Sequence, residues 1–202
     1  MPEINRGQFL RLGMAGVVGT VGAGLLSGPA LAALPTPAPR GDDVGFLSFG
    51  AVAELTSRAW YRRALGVSGF SAGDRRRLQS AQAAKGEHIT RINAALGADA
   101  IQPGDFAAKF PAAAFATKDR TIALGRRIEE LLVATYVNGA AFAQDSGRRL
   151  LLGRLLTYDA QQLAWMRGLT GSVPAGGLPN PLSLEQAGAQ LDLVITTPNF
   201  PV

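Results

Sequence analysis

"LQSAQAAKGEHITRINAALG", residues 78–97, reads as one amphipathic helix that runs into a glycine. Leu78, Ala81, Ala84, Lys85, His88, Ile92 and Ala95 recur at helical spacing and fall on one stripe. That stripe is apolar except for Lys85 and His88, and His88 is the only histidine of the 202-residue chain. Upstream, Ser71 followed by Asp74 has the form of a capping box, and Gly97 is a helix stop. The spacing therefore predicts a helix over residues 71–96. Glu87 lies beside His88, but two residues along a helix turn a side chain by about 200°. Glu87 points away from the stripe and is placed to pair with Arg91 at i, i+4 on the surface.

Three more segments carry the same period. The first, from Phe46 to Leu65, puts Phe46, Gly50, Glu54 and Tyr61 inward, with Leu47, Val52, Leu55 and Ala59 nearby. The third, from Thr117 to Gln144, aligns Ile122, Gly125, Glu129, Leu132, Val133 and Tyr136. The fourth, from Ser146 to Gly168, aligns Leu152, Leu155, Asp159, Gln162, Leu163 and Met166. Between the second and third lies a connection, residues 97–116, holding Pro103 and Pro111. It is too long for a simple hairpin and suits a crossover along a bundle, pinned by Phe106, Phe110 and Phe115. Residues 183–195 form a short fifth helix. No segment has a convincing strand period. The fold class is all-α: a four-helix bundle with a long crossover between helices 2 and 3 and a short C-terminal helix.

Composition agrees. Hydrophobic residues make up 47% but aromatics only 7%, which favours closely packed helices over a large β-sandwich. The absence of cysteine excludes a disulfide framework, a zinc–thiolate site, an iron–sulfur cluster and a cysteine nucleophile. The net charge is +5, with arginine runs at 62–63, 75–77, 126–127 and 148–149. No aromatics interleave with them, so they read as solvated faces and no nucleic-acid partner is expected. A lone histidine in mid-helix is also badly placed for a Ser-His-Asp arrangement.

The N-terminus has a different character. Arg6 and Arg11 precede a glycine-rich apolar run over 13–26, and Ala30-Leu31-Ala32 has the small-x-small form of a cleavage site. Residues 1–32 are predicted to be an export signal cut before Ala33, leaving no stable membrane span. "NRGQFLRL" is similar to the twin-arginine motif, with Gly7 where a second arginine would stand. Residues 33–44 read as a proline-rich linker and 45–202 as the bundle. The expected location is the periplasm, the cell envelope or the exterior.

Each long helix places charged or polar groups on its inward stripe: Glu54, then Lys85 and His88, then Glu129, then Asp159 and Gln162. Buried charge is costly unless paired or metal-bound, so four such helices point to one shared central site. The segments "FGAVAELTSRAWYRRAL", "DRRRLQSAQAAKGEHITRINAALG", "RIEELLVATYVNGAA", "LLTYDAQQLAWMRGLTG" and "PNPLSLEQA" resemble the ferritin-like superfamily, and more specifically the exported ferritin-like proteins of bacteria, a group that includes the desiccation-related proteins.

The resemblance implies a di-iron pattern: glutamate on the first and third helices, and Glu-x-x-His on the second and fourth. Glu54, His88 and Glu129 match it. Lys85 stands in place of a glutamate, Asp159 in place of another, and Gln162 in place of the second histidine. The expected metal set, vestigial or weak, is Glu54, His88, Glu129 and Asp159. Lys85 is expected to replace the cation by bonding Glu54, Glu129 or Asp159, with Gln162 and His88 completing the network. No cofactor is expected beyond iron or manganese at such a weakened site. Three functions follow from the resemblance: a non-enzymatic structural, binding or stress-related envelope protein; a di-iron or mononuclear oxidoreductase or ferroxidase; or an accessory subunit with an envelope partner. The lost ligands favour the first.

Overall fold

The computed structural model describes residues 42–174, 176–193 and 195–196. Residues 1–32, expected from sequence to be an export signal, and residues 33–41 of the expected linker lie outside the described residues. Helix α1 (Asp43–Ala64) begins three residues before Phe46, so residues 42–44 belong to the bundle and not to the linker. Asp42 causes this: its carboxylate accepts the Gly45 N–H at 2.6 Å, where a negative group also meets the helix dipole. Asp43 accepts the backbone N–H groups of Gln144 at 2.6 Å and Asp145 at 2.8 Å, which ties the start of α1 to the turn between the third and fourth helices.

Helix α2 (Ala72–Leu96) carries the expected capping box, Ser71 and Asp74 each bonding the other's backbone. It stops at Gly97, whose φ of 60° is the left-handed value that favours glycine. Helix α3 (Lys118–Phe142) is capped by Thr117 and α4 (Ser146–Leu169) by Asp145. Lys118, at the start of α3, pairs with Asp74, at the start of α2, at 3.3 Å. Those two helices therefore run parallel, and the connection between them must return the whole length of the bundle.

The return is held at several points. The Asn93 side chain bonds both the N–H and the carbonyl of Ile101, at 3.0 and 2.8 Å. Phe106, Phe110 and Phe115 lie partly buried against the core, and the Arg63 guanidinium sits 4.4 Å over the Phe115 ring. Strand β1 (Ala107–Ala108) pairs antiparallel with β2 (Ile195–Thr196). The fifth helix, α5 (Leu184–Leu191), is consequently shorter than the span 183–195 read from sequence. The chain at 195–196 is extended and finds a partner strand in the crossover.

Helix α1 is buried around most of its circumference, packed by α2, α3, α5 and the crossover. It also packs tightly against α3 near Trp60. The Trp60 indole donates to the Thr121 carbonyl at 3.1 Å, and a Cβ at Gly125 would lie 2.2 Å from that ring. Among the described residues no helix is long and apolar enough to cross a membrane.

Candidate metal centre

The stripe residues converge. Lys85, fully buried on α2, reaches carboxylates on all three other long helices. Its Nζ lies 2.6 Å from Asp159 Oδ1, 3.0 Å from Glu54 Oε2 and 3.2 Å from Glu129 Oε2. It donates hydrogen bonds to Asp159 and Glu129. The approach to Glu54 Oε2 is an ion pair without hydrogen-bond alignment, so that oxygen has no hydrogen-bond partner among the described residues. Asp159 Oδ2 has none either.

The outer oxygens of the glutamates are held by groups that periodicity alone did not assign. Ser57 and Tyr61 donate to Glu129 Oε1 at 2.8 and 3.1 Å. Tyr136 donates to Glu54 Oε1 at 3.1 Å. Ser57 and Tyr61 follow Glu54 by three and seven residues, and Tyr136 follows Glu129 by seven, so their position on the stripe was visible even though their partners were not. Gly50 makes room for the Tyr136 hydroxyl, which would stand 3.0 Å from a Cβ there.

His88 closes the cluster on one side, its Nδ1 3.1 Å from Glu54 Oε1. At 12% exposure its ring is the point where the site meets the surface, and it packs edge-on against Tyr158 with centroids 4.9 Å apart. Gln162 departs from expectation. It is buried, but its Oε1 accepts from Arg77 Nε at 3.4 Å, and it does not join Lys85. Arg77 also bonds the Gln161 carbonyl at 3.3 Å and lies 5.2 Å over the Trp165 ring. This long cation at the start of α2 draws the amide toward the seam. Glu87 is on the surface, 3.8 Å from Arg91, as the helical angle requires.

Charges this deep perturb one another. Burial alone would raise the Glu54 carboxyl, but Lys85 and the hydrogen-bonded His88 outweigh it and hold Glu54 below its ordinary value. Burial pushes Asp159 well above the usual carboxylate range, and the charge of Glu54 pushes it further, despite its short contact with Lys85. Three carboxylates compete for one ammonium, and Asp159 is the one left under-compensated. Burial would lower Lys85, but Asp159, Glu129 and Glu54 together raise it, so it stays charged.

A family profile described as "Ferritin-like domain" matches residues 42–172. The chain belongs to the ferritin-like domain family. Comparison with curated proteins finds no match. A ferritin-like bundle is a fold that can hold iron between its four helices, and the residues here can be tested against that chemistry. For a pair of metals they do not fit. The Lys85 ammonium has no lone pair to offer a metal, and it sits among the carboxylates that would have to bridge two ions. Glu129, expected as a ligand, has one oxygen taken by Ser57 and Tyr61 and the other by Lys85. For a single ion the donors are present: Glu54, His88 and Asp159 each bring one ligand atom within 4.8 Å of the others.

Proposed function

We propose that this is an exported ferritin-like protein whose di-iron centre has been replaced by an internal ion cluster, and that it serves the cell envelope as a structural, binding or stress-related protein and not as a di-iron enzyme. One observation carries this reading: the Lys85 ammonium among three carboxylates from three helices, at 2.6 to 3.2 Å. An ammonium there pairs with all three buried acids and holds the helices together. It cannot cycle between oxidation states or bind oxygen. The export part rests on the charged start, the apolar run and Ala30-Leu31-Ala32.

The test is made on protein recovered from its own export route. Intact mass should give a mature chain beginning at or near Ala33. Elemental analysis should find no pair of irons, and Fe(II) added in air should be oxidised no faster than in buffer. Two irons per chain, or rapid Fe(II) oxidation, would overturn the reading in favour of a di-iron oxidoreductase.

A further inference from the structure

The fold sorts surface charge by end. Where α1 and α4 finish and α2 and α3 begin, the arginine runs 62–63 and 75–77 meet Lys118, Arg120 and Arg167. Asp74 answers Lys118, and Glu130, from lower on α3, answers Arg167. The arginines at 62, 63, 75, 76, 77 and 120 have no acid partner among the described residues. The opposite end reverses the balance, with Asp42, Asp43, Asp99, Asp145 and Glu185 against Arg148 and Arg149. Stability does not account for the basic end. Arg75, Lys118 and Arg120 stand in the first turns of their helices, where the dipole favours acids. Where these cations are held, their partners are mostly neutral. Arg75 bonds the carbonyls of Leu65 and Val67 at 2.6 and 3.1 Å, and Arg63 and Arg77 lie over the rings of Phe115 and Trp165. Such partners fix a side chain without cancelling its charge. Arg62, Arg76 and Arg120 are exposed and make no hydrogen bond or ion pair among the described residues.

Apolar groups stand among these charges. Val173 and Leu178, in the loop after α4, are 71% and 59% exposed. Arg167 ties that loop to the basic end by donating to the carbonyls of Gly176 and Gly177 at 2.9 and 3.2 Å. Beside it runs a shallow groove lined by Arg77, Trp165, Leu169 and Pro174. We propose that this end is a membrane-docking face, on which the bundle stands against an anionic phospholipid surface. The arginines meet headgroup phosphates, Val173 and Leu178 enter the interface, and the acidic end is turned away. Cations spread over the ends of four helices match an extended plane of phosphates better than one small anion. The Trp165 ring is already covered by Arg77, so it offers no platform on which a nucleic-acid base could stack. Charge attraction with shallow apolar insertion holds a peripheral protein without a spanning helix.

The docking face does not depend on Lys85 or on the metal centre, so vesicle binding and metal analysis can fail separately. The full mature chain is sedimented with vesicles of phosphatidylcholine alone and of phosphatidylcholine mixed equally with phosphatidylglycerol. It should bind the second and not the first. Raising sodium chloride from about 0.05 M to about 0.5 M should release it, because salt screens exposed charge. Arg62→Gln, Arg76→Gln and Arg120→Gln combined should weaken binding about a hundredfold. Arg91→Gln, Arg127→Gln and Arg154→Gln combined remove the same charge from the exposed sides of the bundle and should weaken it far less. Val173→Ser with Leu178→Ser leaves the charge intact and should weaken it about tenfold. Circular dichroism melts confirm that each variant is folded. Equal binding to both kinds of vesicle, equal losses in the two arginine triples, or no loss in the serine pair would overturn the face. Release by inorganic phosphate beyond that of chloride at equal ionic strength would make it a small-anion site. Tighter binding to a single-stranded oligonucleotide than to the vesicles would make it a nucleic-acid surface. Either result would overturn the membrane assignment.

Discussion

Lys85 is the residue on which the interior depends. Replacing it with alanine leaves Glu54, Glu129 and Asp159 buried without their cation, and breaking such a pair costs about 3–5 kcal/mol. Denaturant melts of Lys85→Ala at neutral pH should show that loss, and it should shrink in acid as the stranded carboxylates take up protons. A loss under about 1 kcal/mol would mean that water or another cation already serves the acids. Most of this centre was legible beforehand. Glu54, Lys85, Glu129 and Asp159 were in phase with apolar stripes, and phase determines which way a Cβ points. Gln162 was in phase too, yet its amide turns to Arg77. Period says nothing about where the end of a flexible side chain goes, nor about a cation arriving from one end of another helix. The hydroxyls of Ser57, Tyr61 and Tyr136 were hidden for the same reason: their partners lie 72, 68 and 82 residues away in sequence.

The four long helices could be read from their stripes, because each buries one face and obeys one period. Their ends were less legible. The start of α1 depends on Asp42 and Asp43, which resembled the tail of a polar linker until their backbone partners were seen. The end of α5 depends on a strand in the crossover about ninety residues away, which local pattern cannot announce. At this scale the sharpest expectation concerns the contact between α1 and α3. Gly125→Ala adds one methyl where Trp60 already stands, and the ring is fixed by its bond to the Thr121 carbonyl. The helices must part, at a cost of about 3 kcal/mol. Gly153→Ala, on the open side of α4 with nothing near its Cβ, is the control and should be neutral or slightly stabilising. Equal melting temperatures for the two variants would refute the close-approach argument.

Across the whole molecule the cluster sets the response to alkali. Burial first, and then the charge of Glu129 for Tyr61 or Glu54 for Tyr136, pushes both phenols well above their ordinary value of 10.0. Lys85 is raised above 10.5 by its three carboxylates, against the opposing effect of burial. For all three groups the folded state holds its proton more tightly than the unfolded chain does. Their contribution is complete below the unfolded values and is lost as pH rises through the folded ones. Above about pH 10.5 each should remove about 1.4 kcal/mol per pH unit, or about 4 kcal/mol per unit together. Urea titrations from pH 9 to 11.5 would show this as a steep fall, made shallower by Tyr61→Phe or Tyr136→Phe. A flat profile would mean that the phenols and the ammonium titrate freely.

The ion cluster also bears on the order in which the chain can assemble. Lys85 meets Glu129 across 44 residues and Asp159 across 74. Local hairpins close quickly, whereas contacts of such wide separation form only after the loops between them have been closed. The α1–α2 and α3–α4 pairs can each form while their acids and their lysine are still in water, where none of them suffers for lacking a partner. Desolvation comes only when the two pairs dock, and at that step a misregistered docking would bury charge without its counterpart. The cluster thus acts as a late proofreader of assembly: it adds little to the speed of the search, and it penalises any arrangement of the four helices other than the one in which all three acids find the same ammonium.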